Sequence, residues 1–251
     1  FFSRGRGQSP RGLRFREMRP DYIVVDDLDD DEMCRSEARV REMTKWIKEA
    51  LFGCFGGKGG RFVMVGNLIE TMIIYGLATY LVIIISFNLP FLMREYHFSS
   101  GNAGIMISLF FLAIMIPGLA MKPIIRVLKD ITLFVSFVAI AVGLMLILVA
   151  PTEWFIAPGC ILAGLGYGVI QPWVYEKATH MAVPQKVTMA LAFIMAMNYI
   201  AILVCPFIID FFGWFLHFDT QQFPFAFNLA VTVSAAVYAW TRQKSFVFSS
   251  W

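Results

Sequence analysis

Two adjacent carboxylates, Asp26 and Asp27, are the side chains whose types and spacing most directly suggest chemistry. They follow the short apolar run at residues 22–25, which is typical of a buried strand. A strand that ends in two carboxylates has a use in nucleotide hydrolysis: one carboxylate holds Mg²⁺ on the nucleotide, and the other orients or deprotonates the attacking water. We therefore take Asp26 and Asp27 as candidate catalytic residues.

The surrounding sequence predicts the element that positions this pair. A second apolar run, at residues 61–65, ends in Gly66 and Asn67. Between the two runs, residues 36–52 carry apolar side chains at helical spacing, and Gly53 follows as a stop signal. This order is a strand–helix–strand unit, in which the strands are parallel and the crossover is right-handed. The first part of the chain thus predicts a small α/β fragment.

Nucleotide hydrolysis also needs a phosphate-binding loop, and the sequence contains no match to the pattern GxxxxGK[ST]. In FGGKGGRF, at residues 55–62, Lys58 is followed by Gly, and the segment precedes a strand, which predicts a flexible turn. A piece of about 60 residues also buries little surface with which to fold alone. We therefore do not expect this chain to be an enzyme, nor to bind ATP or Mg²⁺ without the missing parts.

The stretches RPDYIVVDDLDDDE and GRFVMVGNLI resemble part of the ATPase domain of a phage terminase large subunit, the motor that packages DNA. By that resemblance Asp26 is the Walker B metal ligand and Asp27 stands where the catalytic acid would be. Gly66 and Asn67 fall at the coupling motif. The resemblance implies a truncated ATPase fragment. The Arg-rich start could contact phosphates, but a solvated disordered end is the commoner state of such a segment, and nucleic acid is not an expected partner.

A second set of informative residues is uncharged and lies in an apolar background. Asn198 lies in the middle of the apolar stretch AFIMAMNYIAILVCPF, where an unpaired amide would be costly. It must therefore meet another helix, a water or a solute, which makes it either a hydrogen bond between helices or a ligand in a cavity. The candidate residues for a solute path are Tyr80, Asn88, Gln171, Tyr175, Asn198 and Tyr199, and Asn228 belongs to the same polar set.

Composition shows that two different parts make up the chain. Over all 251 residues, 58% are hydrophobic, 16% are charged and the mean hydropathy is +0.67, whereas soluble proteins have roughly 25% charged residues. Residues 1–70 hold 13 Lys and Arg and 12 Asp and Glu, which leaves only 14 charged residues among the other 181. The second part therefore cannot form the core of a soluble protein.

Six apolar stretches follow the boundary near residues 69–71. Each is close to the ~20 residues that a helix needs to cross a ~30 Å hydrocarbon layer, and strict alternation typical of barrel strands is absent. The predicted spans are residues 71–93, 102–120, 131–150, 154–174, 187–213 and 223–241. We therefore predict an all-α polytopic membrane protein with six transmembrane helices, preceded by the truncated strand–helix–strand fragment.

Basic residues predict the orientation of the six spans. Arg94 alone lies on one side, between the first and second spans. The opposite side carries Lys122, Arg126, Lys129, Lys177, Lys186, Arg242 and Lys244. Because cytoplasmic loops carry the excess of Lys and Arg, both ends of the six-helix block are expected in the cytoplasm, with the block in the inner membrane.

Glycines and prolines interrupt the fourth span, GCILAGLGYGVIQPW. Gly164 and Gly168 form a small-xxx-small face, and the polar Gln171 and Pro172 follow. Such a face lets two helices approach closely, and a polar bend after it suits a helix that moves during transport. Static packing of the two glycines is the alternative. The four cysteines show no spacing typical of a metal site, and no metal is expected.

Residues 71–251 resemble the C-terminal half of a major facilitator superfamily transporter. The resemblance includes NLPFLMREYHFSSGNAGIMIS between the first two spans, the short basic loop MKPIIRVLKD between the second and third, and the glycine-rich fourth span. It implies that the solute binds near midplane between two six-helix halves, in a cavity that spans one, two, four and five of this half would line. The basic loop departs from the family's GxxxDRxGRK signature, retaining Gly118, Arg126, Lys129 and Asp130 in loose form.

Together these observations predict three parts: a disordered basic end at residues 1–19, an ATPase-like fragment at 20–70 and a six-helix membrane domain at 71–251. The expected partners are the lipid bilayer, a small solute, and a complementary six-helix half or a second copy of this chain. Without that half we expect no transport. The two unrelated resemblances further suggest a chimeric or misassembled frame. A packaging ATPase fragment is the alternative interpretation.

Overall fold

The computed structural model describes residues 22–25, 61–64, 66–182, 187–218 and 220–243. Strands β1 (Tyr22–Val25) and β2 (Arg61–Met64) pair in parallel, with Tyr22 opposite Arg61 and Val25 opposite Met64. The helix predicted at residues 36–52 lies outside the described residues. The strand–helix–strand unit therefore stays a prediction.

From residue 66 onward, the described residues are helical and connected by short turns. The long helices are apolar around their whole circumference, as expected where lipid rather than water surrounds the bundle. The helices are α1 (Gly66–Glu95), α2 (Ala103–Leu119), α3 (Met121–Leu128), α4 (Thr132–Leu148), α5 (Ile156–Met181), α6 (Val187–Leu216) and α7 (Phe223–Thr241).

The six predicted apolar stretches each overlap one of these helices. Within the described part of the chain, five segments are long and apolar enough to cross a membrane: α1, α4 with the preceding α3, α5, α6 and α7. Helix α2 is equally apolar but has 17 residues, just below the length of the other five. From residue 66 onward, the described part of the chain is therefore all-helical, with five to six helices of membrane-spanning character.

The connection between the second and third spans differs from its expected form. The sequence predicts a short basic loop there, whereas the structure has helix α3. This segment is helical because it is amphipathic: Met121 and Ile125 pack against the bundle, while Lys122 and Arg126 are exposed. Lys129, directly after the helix, has a positive φ of 48° and ends it.

Helix α5 is central and packs against α4, α2 and α1. It approaches α2 and α4 so closely because glycines line both contacts. A Cβ atom at Gly164 would lie 2.8 Å from the Ala113 Cβ of α2. On the other side, Gly159 of α5 faces Gly143 of α4, and a Cβ on Gly143 would lie 2.6 Å from the Gly159 oxygen. Side chains at these positions would force the helices apart.

One end of the bundle is closed by hydrogen bonds between its connections. The Tyr96 hydroxyl donates to the Leu148 carbonyl at 2.6 Å. Burial, together with the nearby Glu95 carboxylate, raises the pKa of Tyr96 above its ordinary value, which favours the protonated hydroxyl that this bond needs. Glu153 joins the same two connections, since its carboxylate accepts from the Ser99 backbone N–H and from the Asn102 amide, both at 3.2 Å. The α1–α2 turn is thereby fastened to the α4–α5 turn.

The opposite end joins the start of α1 to the end of α7. The Tyr238 hydroxyl donates to the Glu70 carboxylate at 3.0 Å, and the Arg242 guanidinium lies 3.9 Å from the same carboxylate. Because α1 begins and α7 ends at the same end of the bundle, an even number of crossings separates them. Glu95 at the far end of α1 accepts from the Gln221 N–H, which ties α1 to the α6–α7 turn.

Candidate functional site

Three polar side chains from three helices meet near the middle of the bundle. They are Thr79 of α1, Tyr167 of α5 and Asn198 of α6, and each lies near the midpoint of its helix. The Thr79 hydroxyl lies 2.9 Å from the Tyr167 hydroxyl and donates to the Asn198 Oδ1 atom at 2.7 Å. The Tyr167 hydroxyl also reaches Asn198 Oδ1, at 3.2 Å. We refer to these three residues as the polar triad.

The polar triad leaves one hydrogen-bonding group of Asn198 unused. Both hydroxyls point at the amide oxygen, so the carbonyl is satisfied from within the bundle. The Nδ2 atom makes no hydrogen bond to any part of the chain that the structure describes. Asn198 is half-buried, whereas Thr79 is 3% and Tyr167 7% exposed. The triad therefore fixes the amide plane and presents its N–H₂ group as a donor.

Tyrosines extend this polar region by one turn toward the start of α1. The Tyr75 and Tyr175 hydroxyls lie 3.1 Å apart, and the Tyr75 ring stacks on Tyr167 at a centroid distance of 6.2 Å. Gln171 lies between Tyr167 and Tyr175 at four-residue spacing, so all three share one face of α5. The half-buried Gln171 amide makes no hydrogen bond to the described residues. The region thus offers two amides and a tyrosine hydroxyl for a solute.

The structure brings together some of the predicted path residues and leaves others apart. Gln171, Tyr175 and Asn198 belong to the polar region just described. Tyr199 is 67% exposed on the surface of α6. Asn88 is half-buried, and because it comes nine residues after Thr79 it lies on the opposite face of α1. These two lie outside the region.

Tyr80 lines a separate groove. This groove, of about 390 Å³, lies between α1, α6 and α7 and is apolar. The buried Tyr80 hydroxyl has no partner among the described residues. Nearby, the Asn228 amide donates to the Leu81 carbonyl at 3.3 Å and thereby ties α7 to α1. Tyr80 points about 100° around α1 from its neighbour Thr79, so Tyr80 and Asn228 lie outside the polar triad.

Sequence reasoning missed Tyr75, Thr79 and Tyr167. A signal existed in their spacing, since Tyr75 and Thr79 are four residues apart, as are Tyr167, Gln171 and Tyr175. Such spacing places each set on one helix face. It does not tell which helix that face meets, and this information comes only from the packing.

The structure describes only two of the four residues that the terminase resemblance singles out. Asp26 and Asp27 lie outside the described residues, whereas Gly66 and Asn67 are the first two residues of α1. In the described ranges, no three His, Cys, Asp or Glu side chains are close enough together to hold a metal ion.

One cation is buried near the end of α5. Lys177 is 1% exposed, and its ammonium lies 5.1 Å from the centre of the Trp173 ring, whose negative face attracts a cation. The Asp130 and Glu176 carboxylates also attract it. Lys177 therefore links the end of α5 to the turn before α4.

The helical part of the chain is similar to a known protein family. A family model described as Major Facilitator Superfamily matches residues 71–246. The comparison with curated proteins gave no match, and the comparison with solved structures also gave none. The matched range holds α2 to α7 complete and all but the first five residues of α1.

Proposed function

Because the chain belongs to the major facilitator superfamily, we propose that its helices form one six-helix half of a secondary transporter, and that a small solute passes beside Asn198. The observation that carries this proposal is the polar triad, in which α1, α5 and α6 place an amide donor at mid-depth among apolar helices. In transporters built from two halves, the solute site lies near the bilayer midplane at the interface of the halves.

We further propose that a complementary half covers α6. Only 17% of the apolar stretch of α6 is buried in this bundle, whereas 39–61% of the corresponding stretch is buried in each of the other four long spans. Its large exposed side chains include Phe193, Tyr199, Leu203 and Phe207. The complementary half is either another six-helix unit or a second copy of this chain, and the single half does not transport alone.

We propose that the protein lies in the inner membrane, with the first and last residues of the helix bundle on the cytoplasmic side. Lys122, Arg126 and Lys129 are exposed at the end of the bundle that carries α3. Arg94 is exposed at the opposite end. This asymmetry supports the orientation, because Lys and Arg are enriched on the cytoplasmic side.

For the first 70 residues, the packaging-ATPase interpretation stays a hypothesis. β1 and β2 pair in parallel, which is the strand direction that this interpretation expects, but the sequence contains no match to the phosphate-binding loop. It predicts Mg²⁺-dependent ATP hydrolysis that Asp26→Ala abolishes.

The related hypothesis of a misassembled frame is tested by sequencing single DNA molecules across codons 60–80. Continuous reads from independent isolates would refute it.

Thiol accessibility tests the transport proposal without knowledge of the solute. In a background with all four native cysteines replaced by alanine, we expect Asn198→Cys to react with a small water-soluble thiosulfonate reagent in membranes. The reason is that a solute path admits water to the triad. Val142→Cys is the matched control: Val142 is exposed near the middle of α4, a helix that contributes nothing to the polar region, and we expect this thiol to react at least about tenfold more slowly because thiolates do not form in lipid.

Equal protection of both positions would contradict the proposal, because the polar triad would then be only a buried hydrogen bond between helices. A faster reaction at Val142→Cys would also contradict it. Lys122→Cys, on an exposed part of α3, gives the rate of a fully accessible thiol.

A further inference from the structure

We propose that the solute is uncharged and rich in hydroxyl groups, as a sugar or polyol is; this inference rests on the transport function proposed above. The first observation is the absence of charge at the depth of the polar triad. Helices α2, α4 and α7 contain no Asp, Glu, Lys, Arg or His. All three are fully described, so this half offers no charged side chain from them.

Of the other four helices, α3 lies at one end of the bundle, and α1, α5 and α6 carry Asp, Glu, Lys, Arg and His only toward their ends. Those closest in sequence to the triad are Glu70 in α1, Glu176 in α5 and Asp210 in α6. Each is at least nine residues from the triad member on its own helix, which corresponds to about 13 Å along the helix axis. No Asp, Glu, Lys, Arg or His in the described helices therefore lies level with the triad.

A charged solute beside Asn198 would consequently meet no opposite charge from this half at the depth of the triad. Glu176 and Lys177 follow Tyr175 on α5, but Lys177 packs over Trp173 and interacts with Asp130. The transfer of an ion from water to a low-dielectric site is unfavourable unless a counter-charge or several hydrogen bonds compensate it. A neutral solute carries no such penalty. The charge distribution of the half therefore favours an uncharged solute over an anion or a cation.

The hydrogen-bonding groups of the region in turn disfavour an apolar solute. Gln171 has a complete amide without a partner in the described part of the chain, and Asn198 has a free N–H₂ group. Tyr175, half-buried and about one turn after Gln171 on α5, has its hydroxyl 3.1 Å from that of Tyr75. An apolar solute would displace water from these groups and leave them unpaired, which is costly. Hydroxyl groups both donate and accept hydrogen bonds, so they can pair with the N–H₂ group and with the carbonyl oxygen of an amide.

Thermal unfolding of the purified full chain in detergent tests the inference with three probes of one carbon skeleton. They are D-glucose, D-gluconate and D-glucosamine, which are neutral, anionic and cationic, each at about 50 mM and at matched ionic strength. A solute that binds only the folded state raises the unfolding temperature. We expect glucose to raise it by about 2 °C or more, and the two charged probes to raise it by less than a quarter of that shift.

Two variants separate binding from general stabilisation by a sugar. Asn198→Ala and, independently, Gln171→Ala are expected to remove the glucose shift, whereas Tyr199→Phe keeps it because Tyr199 lies outside the polar region. Either site variant suffices if the other does not fold. A shift with gluconate or glucosamine that depends on these residues would overturn the inference, as would a glucose shift that both variants retain or the absence of any glucose shift.

These results are distinguishable from failure of the transport function. If the Asn198→Cys thiol is accessible to water but glucose gives no Asn198-dependent shift, the solute path stands and the solute class is wrong. If the thiol is inaccessible, both proposals fall.

Discussion

Gly168→Ala is expected to lower the free energy of unfolding by about 1–3 kcal/mol, the usual cost of overpacking a close contact. The added methyl group would lie 2.9 Å from the Ile114 Cα and closer still to the Ile114 carbonyl oxygen, both in the backbone of α2. A helix backbone cannot rotate away as a side chain can, so α5 and α2 must separate. The effect is measured as the unfolding temperature in detergent, which is detected by the loss of the monodisperse peak in size-exclusion chromatography.

Gly104→Ala is the matched control for this prediction. Gly104 is also a helix residue, in α2, but a methyl group there would meet nothing within 4 Å. Alanine has the higher helix propensity, so Gly104→Ala should leave the unfolding temperature unchanged or raise it. If Gly168→Ala and Gly104→Ala behaved alike, the close contact between α5 and α2 would be refuted. Gly164→Ala, which meets the Ala113 Cβ at 2.8 Å, should behave as Gly168→Ala does.

The reversal of one buried charge should have a larger effect. We expect Lys177→Glu to destabilise the fold by about 3–5 kcal/mol, as is typical when a buried charge loses its compensation. The new carboxylate would lie near Asp130 and Glu176, which now attract the ammonium, and over the negative face of Trp173. The yield of folded chain and its unfolding temperature measure this loss.

Lys177→Met distinguishes the charge from the packing of the side chain. Methionine has a similar length and no charge, and because Asp130 is exposed and Glu176 half-buried, the loss of the ammonium leaves no buried unpaired ion. We therefore expect Lys177→Met to unfold within about 2 °C of the parent chain. If Lys177→Glu were as stable as Lys177→Met, the ammonium would not be held in a buried site by Asp130 and Trp173.

Much of the helical architecture was predictable because it depends on local sequence. The number of apolar stretches follows from the length that lipid imposes on a helix, and the spacing of Gly164 and Gly168 indicated one face where helices approach. The facing pair Gly143 and Gly159 was not predictable, since the two residues lie on different helices. Neither was helix α3, whose basic residues looked like a loop until the packing of Ile125 was known.

The candidate site was predictable only in part, for a related reason. Asn198 stood out because an amide in the middle of an apolar span needs a partner. Its partners did not stand out, because threonine and tyrosine occur in spans without special cause. A helix that is apolar on all sides also gives no sign of its rotation, so the sequence could not tell that Thr79 faces Asn198 while Tyr80 and Tyr199 face elsewhere.

The whole account depends on six helices that cross the membrane in alternating directions. Single cysteines at Arg94 and at Lys122, each in the chain without native cysteines, test this directly through labelling by a membrane-impermeant maleimide in intact and in permeabilised cells. Both residues are exposed, at opposite ends of the bundle. We expect Arg94→Cys to be labelled in intact cells and Lys122→Cys only after permeabilisation. Labelling of both positions from the same side of the membrane would contradict the topology and, with it, the assignment as half of a transporter.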